Sequence, residues 1–145
     1  MSKVEAFLTS QQEQEIISAI RVAEKNTSGE IRVHIEANST IDPYDRALEV
    51  FYLLKMDHTK EANAVLIYVA VADKKFVIYG GKGINDVVSK DFWNTTKKGI
   101  QNQFLNGNFK QGIVDGILKA GTELQAHFPW QTNDEDELSN ELSKG

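Results

Sequence analysis

The sequence predicts an α/β protein, a three-layer α/β/α sandwich whose small mixed sheet is flanked by about four helices. Three observations carry this prediction. Residues 30–36, EIRVHIE, alternate apolar and polar side chains, the period of a strand with one well-buried face. Residues 63–71, NAVLIYVAV, form an unbroken β-prone run, the pattern of a central strand covered on both faces. A helical stripe lies between them, so the two strands share one right-handed crossover and run parallel. The short segment 72–75, ADKK, then leaves room only for a hairpin into 76–79, which makes the third strand antiparallel to the second.

Each element has its own local cause. Ser10 and Glu13 form an S-x-x-E capping box ahead of Ile16, Ile17, Ile20 and Ala23, predicting a helix over 10–25 that Asn26 to Gly29 stops. The first strand points Ile31, Val33 and Ile35 inward and Arg32, His34 and Glu36 to its polar face. Asp42 followed by Pro43 reads as an N-cap and first helical position, and Ala47, Leu48, Phe51 and Leu54 carry the stripe to about Met56. Ser89 caps a helix bearing Phe92, Trp93, Ile100 and Phe104, which Asn106-Gly107-Asn108 ends. A last helix over about 110–127 carries Ile113, Val114, Ile117 and Leu124. No repeat or linker interrupts these elements. Residues 1–130 therefore read as a single domain, and 131–145 as an acidic disordered tail.

A chain of 145 residues can bury one sizeable core. Its net charge of −5 is uneven, because Asp134, Glu135, Asp136, Glu137 and Glu141 against Lys144 leave −4 in the tail and −1 in the rest. Nothing here makes a basic footprint for nucleic acid. No window reaches the roughly 18 apolar residues of a membrane span, and the N-terminal segment lacks the basic-then-apolar order of a secretory signal. The absence of cysteine excludes disulfides, thiolate zinc sites and a cysteine nucleophile. A soluble, cytoplasmic, monomeric protein without a membrane segment is expected.

The stretch with most chemical content is 76–86, FVIYGGKGIND, where a strand runs into Gly80, Gly81, Lys82 and Gly83, then Asn85 and Asp86. The third strand runs against the other two, so its end lies beside their beginnings. That topology gathers Glu30, Asp57, Glu61, Asn63, Asn85 and Asp86 as candidates for one cluster. Phosphate is a poor fit, since GGKG lacks the spacing of a phosphate loop and Asp86 stands where a dinucleotide fingerprint needs glycine. Hard cations suit carboxylate, amide and backbone oxygens. The plain alternative is a tight glycine turn, with Asn85 and Asp86 only capping the next segment.

The segments SGEIRVHIE, NAVLIYVAVADKKFVIYGGKGIND and FLNGNFKQGIVDGILKAG together resemble the TPM domain family, over roughly residues 10–128. That family takes its name from a thylakoid-lumen protein, a photosystem repair factor and an animal receptor modulator. The resemblance implies an α/β/α fold and divalent-cation binding, and an acid phosphatase activity has been ascribed to a plant member. Four positions depart from the family's pattern. Ala62 stands where aspartate is frequent, Ala64 where glycine is usual, Asn108 where an acid is usual, and Gly81 at a position that is acidic in other members. Glu30, Asn85 and Asp86 remain. Many members carry a signal peptide and membrane anchor, and neither is seen in this sequence.

Catalysis is weakly encoded. There is no G-x-S-x-G elbow, and His34, His58 and His127 are far apart with no H-E-x-x-H spacing. His58, beside Asp57, is the only acid–base group near the cluster, and no catalytic residue is assigned. The expectation is a binding or regulatory module that weakly holds calcium or magnesium through Glu30, Asp57, Gly83, Asn85 and Asp86. A metal-assisted phosphatase of phosphate monoesters and a metal-independent module for an unidentified protein partner are the alternatives.

Overall fold

A computed structural model describes residues 7–130 and 142–144. Its elements are α1 (Ser10–Glu24), β1 (Glu30–Glu36), α2 (Pro43–Leu53), a 3-10 turn (Met56–His58), β2 (Ala64–Ala70), β3 (Lys75–Gly80), α3 (Lys82–Val87), α4 (Lys90–Leu105), α5 (Phe109–His127) and β4 (Ser143–Lys144). The sheet order is β3-β2-β1-β4. β1 runs parallel to β2, from Glu30 beside Ala64 to Glu36 beside Ala70. β3 runs antiparallel to β2 with Val65 opposite Gly80, so the predicted pairing and topology hold.

The two faces of the sheet are covered separately, as a three-layer sandwich requires. Ile31, Val33, Ile35, Val65, Ile67 and Val69 meet Ile16 and Ile20 of α1 and Ile113, Ile117 and Leu124 of α5. On the other face Ala64, Leu66, Tyr68 and Ala70 meet Ala47, Val50 and Phe51 of α2 and Met56. Burying each large aliphatic side chain contributes about 1.5–3 kcal/mol, which makes these two clusters the main source of stability. α1 and α5 approach closely because Gly121 has no side chain: a Cβ there would lie 2.5 Å from the Ala23 Cβ.

Several local causes operate as predicted, and some are displaced. Asp42 accepts from the backbone N–H groups of Tyr44 and Asp45, and Ser89 accepts from Phe92. The first capping box is built one residue earlier than predicted. Thr9 is the N-cap, its hydroxyl accepting from Gln12 N–H at 3.1 Å while Gln12 Oε1 accepts from Thr9 N–H at 2.9 Å. Thr9 to Gln12 satisfies the same S/T-x-x-E/Q pattern as Ser10 to Glu13.

Three features differ in kind. The glycine stretch is not an open loop, since Lys82–Val87 closes into the short helix α3. β1 is buried on both faces, with Glu30, His34 and Glu36 under cover along with its isoleucines. A fourth strand lies within the segment expected to be a disordered tail: Ser143 and Lys144 pair in parallel with His34 and Ile35. The rest of that tail, residues 131–141 and Gly145, lies outside the described residues.

Candidate functional site

Strand reversal brings the end of β3 to the start of β1 and β2, and backbone hydrogen bonds then lock the segments together. Gly81 N–H donates to Ala64 O at 2.9 Å and Gly83 N–H to Ala62 O at 2.8 Å. The glycines are required by this closeness. A Cβ on Gly83 would sit 1.9 Å from the Glu61 carbonyl oxygen, and one on Gly81 2.5 Å from that of Ala62. Ala62 itself has φ +52, a left-handed conformation that costs a non-glycine residue roughly 1–2 kcal/mol.

The seam carries a small polar cluster. Ser28 Oγ donates to Glu61 Oε2 at 2.6 Å, and Asn63 Nδ2 donates to Ser28 Oγ at 3.1 Å. These donors fix the orientation of the Asn63 amide, because the Ser28 hydroxyl spends its hydrogen on Glu61 and has only lone pairs left for Nδ2. Asn63 is 1% exposed, and its Oδ1 is buried with no hydrogen-bond partner. The hydroxyl of buried Thr59 in the same segment is also without one.

The predicted ligands are distributed around this seam in different states. Glu30 is buried at the first position of β1, and its N–H donates to Asn63 O at 3.4 Å. Asp57 sits on the 3-10 turn, 3.8 Å from His58. Asn85 turns its Nδ2 back onto Gly80 O at 2.8 Å, tying α3 to the end of β3. Asp86 pairs with Lys82 at 3.2 Å on the exposed side of α3. Among the described residues no three His, Asp or Glu side chains converge in a metal-holding group. The donors that do converge are Glu61, Asn63 and Ser28. Asn63 turns its Nδ2 toward the other two, and its unpartnered Oδ1 is on the other arm of the amide. The cluster thus joins the Glu61 carboxylate to two neutral side chains, Ser28 and Asn63.

A second polar assembly lies on the α2 face of β1, where the alternation of that strand puts its polar side chains. Glu36 accepts from Arg46 Nε at 3.0 Å and Nη2 at 3.1 Å, from the Tyr68 hydroxyl, and from His34 Nε2 at 3.1 Å. Burial alone would raise the Glu36 carboxyl, but the donors from Arg46, Tyr68 and His34 hold it at about 2. Burial pushes the Tyr68 hydroxyl up and the His34 ring down. His34 Nδ1 lies 2.9 Å from Ser143 Oγ. The continuous apolar run of β2 was the available signal, because a strand covered on both faces implies cover for its neighbour as well.

A family model described as the TPM domain matches residues 2–123. The BA42 protein from the psychrophilic bacterium Bizionia argentinensis, solved by NMR, is similar over 100% of both chains, with 66% identity and a TM-score of 0.90. The N-terminal domain of a protein from P. gingivalis shares the fold at 16% identity, over 86% of this chain and 83% of that one, with a TM-score of 0.72. The N-terminal domain of a Corynebacterium glutamicum protein does so at 10% identity, over 91% and 84%, with a TM-score of 0.67. No curated protein matches the sequence.

Proposed function

The chain belongs to the TPM domain family, and from that premise we propose that it is a divalent-cation-binding module. The ion, calcium or magnesium, would sit at the seam where Glu61, Asn63 and Ser28 meet the Gly80–Asp86 segment. The observation that carries this reading is the Asn63 Oδ1, buried without a partner on a residue whose Nδ2 reaches the Glu61 carboxylate at 3.5 Å. An unmet buried acceptor costs about 1–3 kcal/mol, and a cation would offset that cost. Glu61 supplies the charge, Ser28 orients both side chains, and Gly83 keeps the segments close enough to share one site. Glu30 adds charge at the start of β1, while Asp57, Asn85 and Asp86 contribute oxygens on the flanking segments. With few carboxylates gathered directly, affinity belongs to the weak 10⁻⁴–10⁻³ M class, on the order of extracellular calcium modules. A bound cation would supply positive charge and a fixed set of oxygen contacts. We assign this cluster no catalytic residue.

Terbium, a luminescent stand-in for calcium, tests the site's position. The Trp93 ring lies against Gly80, where a Cβ would come within 2.8 Å of it, so this indole is placed to sensitise an ion in the seam. Sensitised emission should appear, be competed by calcium, and be lost in Trp93→Phe and in Glu61→Gln. Emission that survives both changes and disappears with Trp130→Phe would place the ion on the acidic segment 134–141 and overturn the assignment.

A further inference from the structure

Among the described residues, two of the chain's own C-terminal segment cover the edge of β1. Ser143 pairs with His34 and Lys144 with Ile35. Three side-chain ties support them: Ser143 Oγ to His34 Nδ1 at 2.9 Å, Lys144 Nζ to Glu13 Oε1 at 2.7 Å, and Leu142 packed against the main core. Elements with so few buried contacts open at low cost, well before the rest of the fold. We propose that β4 is a strap that docks on β1 while His34 is neutral and releases when His34 is protonated.

The hydrogen-bond logic makes His34 the sensor. The Glu36 carboxylate can only accept, so His34 Nε2 carries the hydrogen of their 3.1 Å bond and Nδ1 presents a lone pair. Ser143 must therefore donate its hydroxyl hydrogen to Nδ1. A proton arriving at Nδ1 turns that acceptor into a donor, so the Ser143 hydroxyl must rotate its hydrogen away and accept instead, and the docked arrangement then encloses a charged ring. The new charge also finds its surroundings committed. The groups facing it among the described residues are Arg32 and Glu36 on β1, Tyr68 stacked on its ring from β2, Arg46 from α2 and Ser143 from β4. Arg46 and Tyr68 already occupy the Glu36 carboxylate, and the two guanidinium groups oppose a further cation. Linkage gives the sign. Burial lowers the His34 pKa in the docked state, so docking is strongest above the free value of 6.5 and is lost as pH falls through the lowered one.

The test uses the full chain in solution, titrated from about pH 7.5 to about pH 5, the window in which histidine changes charge. The His34 ring shifts and the cross-strand contacts between 34–35 and 143–144 are followed together by NMR. Loss of those contacts should track the His34 midpoint, below 6.5, while the β1–β2 contacts persist. His34→Gln should stay docked to the acid end of the range. A strap that remains docked while His34 titrates would overturn the proposal. So would a His34→Gln protein that releases at the parent's pH. Should His34→Gln fail to fold, Ser143→Ala decides: the proposal requires the His34 midpoint to move up toward 6.5, and an unchanged midpoint contradicts it.

Discussion

Two residues on the seam show how backbone geometry and side-chain identity divide the work. Gly83 is held where any side chain would overlap the Glu61 carbonyl, and backbone on both sides leaves nothing flexible to yield. Gly83→Ala should therefore cost about 2–3 kcal/mol or more, in the range of severe overpacking. Ala62, a few ångströms away in the same seam, is the opposite case, because its positive φ favours glycine. Ala62→Gly should be neutral or stabilise by up to about 1 kcal/mol, the relieved strain being partly offset by the entropy glycine loses on folding. Chemical denaturation of both variants checks the pair. Equal destabilisation by the two would mean that the seam is not packed as described. The sequence reading put Gly83 in the candidate site for a turn and its carbonyls, whereas the structure shows a close approach to the Glu61 carbonyl. Close approach of a second segment leaves no local signature, and only the topology could hint at it.

At the scale of elements, β1 is the instructive case. Its alternation identified the strand and its inward isoleucines, yet the same alternation suggested that His34 and Glu36 face water. Burial came instead from Arg46 on α2, Tyr68 on β2 and the β4 strap, none of which a period-2 pattern reports. The network has a pH signature. Glu36 is held at about 2, below its free value of 4.5, so its contribution is present above 4.5 and is lost as pH falls toward about 2. Glu36→Gln should remove that acid-side dependence and cost about 1.5–3 kcal/mol, since it removes charge-assisted hydrogen bonds to an Arg46 that is itself 28% exposed. Urea unfolding at a series of pH values reads both effects, and a variant as stable as the parent at neutral pH would show that the network is only peripheral. The short helix α3 escaped the sequence for a related reason. KGINDV is glycine-bearing and only six residues long, so tertiary bonds from Gly83 and Asn85, not propensity, close it.

For the whole molecule, layer order and strand direction were legible because long periodic segments and a short hairpin determine them almost without tertiary information. That topology also located the end of the sheet where the candidate site lies. The polar cluster at that edge was less legible. Glu61 and Asn63 stood among several acids and amides in the sequence, and only the Ser28–Glu61–Asn63 hydrogen bonds single them out, while Asp86 is engaged by Lys82 and Asn85 by Gly80. The strap β4 was not legible at all, for two residues carry no periodicity. The central claim is that a divalent cation binds at this seam, and a calcium titration followed by backbone amide shifts tests it most directly. Residues 28–31, 57–63 and 80–87 should shift together and saturate, with Asn63→Ala and Asp86→Ala weakening the saturable part. Shifts confined to 134–141, or none that saturate, would contradict the claim and leave the glycine segment as a packing device alone.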